Sequence, residues 1–520
     1  MRMLIANRLM RLRATGLALL LLAVLGSVAL PARGAGAADP GDHDLWYVLE
    51  MAGKRAGYLH ATQTAGGDHI VTASLIKLAI RRGETTIEIQ MTSEFVETRG
   101  GKPVSMKAVQ SLGAAPVTTE YVFGGTAITQ TTTQGRHITT TEVPLPEGAW
   151  LTPAAGNGYV RKRLEAGAKE ITVRMVDAMM GPTPVTMTQR ILEETTIETL
   201  GKVVPAFKTT TSLSIAPGMD STDYIDANGV QIRSTANIGG LDITTILADR
   251  ALALSELDPP ELMASTLVKP DQPIKRARGV QRATYVLSLP EGGLTLPDTA
   301  VQRVEQVGEG TVRVTVDLAA CAPAAGDDHG DGSYLKSTPG LDGDDPEIKA
   351  LVAKAIRGAG DDKAERAEAM RRFVFEHIEK KDLGVGFATA SQVARTRQGD
   401  CSEHGALLVA MLRSDGIPSR LATGLMYVDE FLGKEGVFGY HMWAQALLPC
   451  EGDKLAWKDL DGTFPRTPKF DATHIVLAVS SGDDGELNSM VALVPMLGRL
   501  EVQVEETGHR SGEREKERAK

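Results

Sequence analysis

Cys401 stands in the segment Gly399-Asp400-Cys401-Ser402-Glu403-His404-Gly405, at the head of an apolar run that reads as a helix. Forty residues later comes Tyr440-His441-Met442-Trp443-Ala444, followed by Trp457-Lys458-Asp459-Leu460-Asp461-Gly462-Thr463, both on strand-like segments. A thiol, an imidazole and a carboxylate are what acyl transfer through a thioester requires: a nucleophile, a base that takes its proton, and a group that orients the base. The thiolate is the reactive form, and the free N–H groups and positive dipole end of a helix's first turn favour it. Asp400 has the right side chain for the N-cap of that helix.

If the strands from Tyr440 and Leu455 pair around a turn near 449–454, partners sum to 902 or 903, which sets His441 opposite Asp461 or Gly462. Asp459 lies two residues away on the same strand face and is the competing orienter. A metal site is the rival constellation: Cys401 and His404 have ligand-like spacing, and His441 or Asp461 would complete the set. No second Cys or His pair accompanies them, so no metal and no cofactor is expected. His404 reads as a surface or supporting residue, and His377 as exposed.

The stretch 389–404 resembles the nucleophile segment of bacterial transglutaminase-like proteins, and so does Leu412-Arg413-Ser414-Asp415-Gly416-Ile417-Pro418-Ser419-Arg420. His441-Met442-Trp443-Ala444 and Leu460-Asp461-Gly462-Thr463 match the histidine and aspartate motifs, with Met442 and Gly462 where the family usually has alanine and proline. The resemblance covers residues 334–464. It implies a papain-like α+β core with a catalytic triad of Cys401, His441 and Asp461. The oxyanion would be held by the Cys401 backbone N–H and a second donor, for which Gln392 and Trp443 are candidates.

Helices are needed to carry the cysteine and strands to carry its partners. Residues 346–357, 363–380 and 402–414 read as helices, the first opened by Pro346 and the last closed by Gly416 and Pro418. Residues 419–427, 441–448, 455–460 and 475–479 read as strands. Ahead of them, residues 45–252 read as strands with turns, 85–91 and 188–197 alternating at period two, and predict a long antiparallel sheet of eight to ten strands. The fold class is therefore α+β, a β-rich N-terminal region followed by a papain-like, transglutaminase-like domain. The expected divisions are a signal peptide at 1–38, a β-rich domain at 39–256, a small β-sandwich-like unit at 262–322, a linker at 323–345, the transglutaminase-like domain at 346–505 and a charged disordered tail at 506–520.

The chain has 520 residues, a net charge of −10 and only 4% aromatic residues. It carries no basic stripe that would track phosphates, so a nucleic-acid partner is not expected. Arg2, Arg8, Arg11 and Arg13 precede an apolar run from Gly16 to Leu30 and a small-residue stretch ending at Ala38, the pattern of a cleaved signal peptide. The expected location is the periplasm or outside the cell, with no membrane span after cleavage. With Cys401 catalytic, Cys321 and Cys450 either pair or remain separate thiols. Asp327, Asp328 and Asp331 lack the spacing of a calcium loop and read as linker. The expected function is that of an exported cysteine acyltransferase or peptidase acting on peptide or protein amides, those of the cell envelope included. The alternative is a non-catalytic transglutaminase-like scaffold or binding protein at the envelope.

Overall fold

The computed structural model describes residues 42–509 apart from 112–115, 217, 239, 291–292, 325–331, 382, 384–387, 451–453, 466–469 and 483–495. The expected signal peptide and the three linker aspartates lie outside the described residues. The chain divides into two compact units, Met1–Arg81 with Thr86–Pro260, and Arg82–Thr85 with Glu261–Lys520.

The first unit is built on strands β1 (His43–Met51), β2 (Lys54–Gly66), β3 (His69–Arg82), β4 (Thr85–Thr98), β5 (Pro103–Ser111), β6 (Val117–Phe123), β7 (Ala127–Gln134) and β8 (His137–Pro144). After helix α1 (Pro153–Glu165) come β9 (Glu170–Asp177), β10 (Gly181–Thr199), β11 (Lys202–Leu213), β12 (Ser221–Ile225), β13 (Gln231–Ile238) and β14 (Leu241–Ala248). They form one 14-stranded sheet in the order β8 to β1, then β14 to β9. The sheet is longer than the eight to ten strands expected. The extra members come largely from Thr-rich hairpins such as β7–β8, whose polar texture carries no burial period to count by. Helix α1 was not expected either. Pro153 at its first turn starts it, and Val160 and Leu164 are buried against Ile171 and Val173 of β9.

In the second unit, helices α2 (Pro346–Ala355), α3 (Lys363–His377), α4 (Ala390–Thr396) and α5 (Cys401–Ser414) pack beside a sheet of β18 (Ser419–Phe431), β19 (Lys434–Pro449), β20 (Leu455–Leu460) and β21 (His474–Ser480), in the order β20-β19-β18-β21. Every residue of α5 from Glu403 to Arg413 is buried. The wholly apolar run 405–412 at its centre is what a central core position demands. Gly405 makes the approach possible, since a Cβ there would meet Leu421 Cδ2 at 3.3 Å and Met442 Cγ at 3.5 Å.

Residues 262–322 do not stand alone as the expected sandwich-like unit. Their strands β15 (Val280–Ser288), β16 (Gln302–Gly308) and β17 (Thr311–Asp317) are joined by β22 (Glu501–His509) in the order β16-β17-β15-β22. Tyr285, Leu287 and Val314 share one apolar core with Leu425, Phe438 and Ile475 of the neighbouring sheet. Strands with one apolar face need a partner layer, which the neighbouring sheet supplies, and β22, the last strand among the described residues, extends this one. Residues 506–509 of the expected tail are instead paired strand, because the ladder of β22 with β15 runs to His509. Residues 510–520 lie outside the described residues.

Candidate functional site

Helix α5 begins at Cys401 because the residues before it supply a complete cap. The Asp400 side chain accepts from the Ser402 N–H at 2.9 Å, and Glu403 Oε2 accepts from the Asp400 N–H at 2.9 Å, a reciprocal capping box. Gly399 has φ +154°, and a Cβ there would fall 2.2 Å from Glu403 Cβ, so only glycine leaves room for the box. The Met442 backbone N–H bonds the Cys401 sulfur, which puts β19 beside the head of α5. Burial pushes the Cys401 thiol well above its ordinary value and the Asp400 carboxylate adds to this, against the opposing Met442 N–H. These influences oppose the thiolate that the start of a helix favours.

His441, one residue before Met442, is buried, and its Nε2 lies 2.8 Å from Asp461 Oδ2. The register that brings them together differs from the expected one. β19 and β20 pair with sums of 904, as in Ala444 with Leu460, and the ladder stops at Leu460. The turn closes between Cys450 and Lys454, one residue later than assumed, so Asp461 meets His441 from the loop beyond β20 rather than across the ladder.

That loop is pinned from three sides. Asp461 Oδ1 accepts from the Thr463 N–H and hydroxyl, both at 2.7 Å. Arg371 of α3 is fully buried and donates to the main-chain oxygens of Asp461 at 3.0 Å, Phe464 at 2.7 Å and Pro465 at 3.1 Å, while Glu368 balances its charge at 3.0 Å. His474 of β21 places Nε2 3.3 Å from Asp461 Oδ2. Burial pushes the Asp461 carboxyl up, but the charges and hydrogen bonds of His441 and His474 prevail and hold it well below the usual range. Sequence reasoning missed Arg371 and His474. Arg371 sits on the helix whose apolar spacing was read, and an arginine on the buried side of that pattern was the available signal.

Asp459, the competing orienter, is taken by other partners. It accepts from Trp443 Nε1 and Gln445 Nε2, both at 2.8 Å, and burial raises its carboxyl. Trp443 therefore spends its indole N–H on Asp459 and is not the second oxyanion donor. Gln392 serves α4 as a cap, its Oε1 accepting from the Thr389 N–H at 3.1 Å. His404 is buried, contrary to a surface position; its Nδ1 donates to the Asp400 carbonyl at 2.6 Å, and burial lowers its pKa to about 4. His377 is half-buried rather than exposed, with Nε2 2.8 Å from the Ala394 oxygen. Cys321 and Cys450 are disulfide-bonded, with Cα atoms 6.2 Å apart.

The rival metal set does not assemble around Cys401 and His404. Among the described residues, the group whose ligand atoms converge is His441, Asp461 and His474, all within 4.8 Å of one another. The 2.8 Å His441–Asp461 contact is a direct hydrogen bond, shorter than the roughly 3.3 Å that separates two ligands of one tetrahedral ion bound at about 2.0–2.1 Å. The arrangement suits proton handling: a carboxylate fixes one imidazole nitrogen and leaves the other for transfer.

Residues 349–462 match the family model described as the transglutaminase-like superfamily, so the chain carries a transglutaminase-like domain there. No curated protein matches the chain. Among solved structures, it is similar to a β-barrel-like protein of the domain of unknown function DUF1849 from Brucella abortus, at 12% identity over 40% of this chain and 96% of that one, with TM-score 0.31. It is also similar to the periplasmic domain of TgpA from Pseudomonas aeruginosa, at 17% identity over 38% and 75% of the two chains, with TM-score 0.26. Likenesses at these scores say nothing of activity. Among the described residues no helix is long and apolar enough to cross a membrane.

Proposed function

We propose that this chain is an exported cysteine enzyme that opens peptide or protein amides through an acyl-thioester. Cys401 is the nucleophile, His441 the general base and Asp461 its orienter. The observation that carries this reading is the buried 2.8 Å hydrogen bond from His441 Nε2 to Asp461, one residue from the Met442 N–H that bonds the Cys401 sulfur. With Nε2 committed, Nδ1 is the nitrogen that takes the proton. As the thiol proton passes to His441, sulfur adds to the amide carbonyl. The C–N bond then breaks, the amine leaves with that proton, and a thioester remains. Water releases the acid and restores the thiol, whereas an amine acceptor gives a new amide. The disulfide and the N-terminal sequence pattern support export, because disulfides persist in oxidising compartments.

A thiol pushed up by burial also suits a non-catalytic scaffold, so reactivity is the test. Wild type mixed with p-nitrophenyl acetate should give a burst of p-nitrophenol and an acetyl group on the peptide containing Cys401. Cys401→Ser should lose both, and His441→Ala should slow the burst by about 100- to 10,000-fold. A wild-type rate equal to that of His441→Ala would favour the scaffold.

A further inference from the structure

His474 sits in a mould of acceptors. Its Nδ1 faces the Asp471 main-chain oxygen at 3.0 Å and Asp471 Oδ1 at 3.4 Å, and its Nε2 faces Asp461 Oδ2 at 3.3 Å. A carbonyl oxygen cannot donate, and the Asp461 carboxylate already accepts from His441 and twice from Thr463. A ring with acceptors at both nitrogens carries a proton on each and is a cation. Its surroundings suit one. The Phe470 ring stacks on it at 4.1 Å, with Trp443 and Phe464 edge-on at 5.3 and 5.4 Å.

The charge balance closes as well. The ionisable groups around the ring are Asp461 from the loop after β20, His441 on β19, Asp459 on β20, and Asp471 on the segment leading into β21. Beyond Asp471 stand Arg278, whose Nη1 lies 2.7 Å from its Oδ2, and Tyr285, whose hydroxyl donates to the Ala472 oxygen. Asp459 is held by Trp443 and Gln445 and raised by burial. The carboxylates of Asp461 and Asp471 then have two cations to pair with, His474 and Arg278. Such a buried set is tolerable only when each member is paired.

We propose that His474 is a positioning residue for the Cys401 centre, an imidazolium wedged between Asp461 and Asp471 that keeps Asp461 ionised and turned towards His441. This inference rests on the reading of Cys401, His441 and Asp461 given above. Electrostatics agree with it: burial pushes His474 down, yet the hydrogen bonds and charges of Asp461 and Asp471 lift it to about 9.

The test uses the full chain in two measurements. In the first, histidine labelled with 15N in the ring is followed by NMR at pH 8, the His474 signal being the one lost in His474→Gln. Two protonated ring nitrogens are expected; a singly protonated ring overturns the proposal. In the second, the p-nitrophenyl acetate burst is followed from pH 4 to 9 in wild type, His474→Gln and His474→Asn. Removing the positive charge that opposes proton uptake by Asp461 should move the acid limb up by a unit or more, a tenfold loss of rate on that limb. Glutamine, still a hydrogen-bond donor, should keep much of the plateau. A uniform fall with the limb unmoved makes His474 merely structural and overturns the proposal, as does a stoichiometric divalent metal in the purified protein. If Cys401→Ser bursts like wild type, the nucleophile reading fails, and the NMR measurement still decides the charge on His474.

Discussion

Each unit of this protein buries a carboxylate, and the two have opposite fates. In the sheet unit, Glu97 of β4 accepts from the Thr152 hydroxyl at 2.6 Å and the Ala154 N–H at 2.9 Å. Burial still prevails, and its carboxyl is raised. In the second unit, Asp461 is buried as deeply, but its partners include two imidazoles, and it is lowered. Neutral donors satisfy a buried carboxylate's geometry without offsetting the cost of its charge, whereas ionisable donors offset both. The first arrangement stabilises a fold by joining α1 to β4. The second keeps an anion inside a protein at neutral pH, where it can orient a base.

Exchanging the charge at Asp461 should break this contrast most severely. Asp461→Asn leaves the shape intact but gives His441 Nε2 a neutral partner, and the burst rate of Cys401 should fall by about 1,000- to 10,000-fold. A fall of less than tenfold would mean the 2.8 Å hydrogen bond does not orient the base. Next comes the support of the loop. Arg371→Met strips three main-chain oxygens of their donor and takes from Glu368 its 3.0 Å partner, and should cost about 3–5 kcal/mol in denaturant unfolding of the second unit. Arg371→Lys should rescue little, because an ammonium cannot span three oxygens in a planar fork.

The contrast is sharpened by pH. His474 is raised from 6.5 to about 9, so the stability it contributes is fully present below pH 6.5 and is lost as pH rises through 9. The loss amounts to about 3 kcal/mol at most, and it should flatten in His474→Gln when melting is followed from pH 6 to 10. Asp461 has the opposite sign: its contribution is present above pH 3.8 and is lost on acidification through its lowered folded value. The smallest effect belongs to the sheet unit. Thr152→Ala removes one donor from Glu97 and should cost about 1–3 kcal/mol in unfolding, with the Cys401 burst unchanged. A slowed burst there would show that the two carboxylates are not independent.

The cysteine centre was more legible in the sequence than the sheet unit, for a physical reason. Asp400, Cys401 and Glu403 form their cap within one helical turn, so their relation is local in the chain. The His441–Asp461 pair was nearly readable, because one hairpin joins the two residues, but pairing at sums of 904 in place of 902 or 903 moved the expected register. In the sheet unit the Thr-rich hairpins were undercounted and α1 was read as strand, since neither shows a clear burial period. The 262–322 strands were read as a separate unit because their fourth member, β22, lies almost two hundred residues further on.

The amino-acid sequence by itself determined the helix that presents Cys401, the strand that carries His441 and the order of the three residues, because local capping and hydrophobic period act over a few residues. Only the tertiary structure decided which carboxylate faces His441, that Trp443 serves Asp459, and that Arg371, His474 and Arg278 hold Asp461 and Asp471 in place. Arg371 reaches Asp461 across 90 residues of chain and Arg278 reaches Asp471 across 193. Hydrogen bonds over such separations leave no periodic trace, because they form only once the core has brought the elements together.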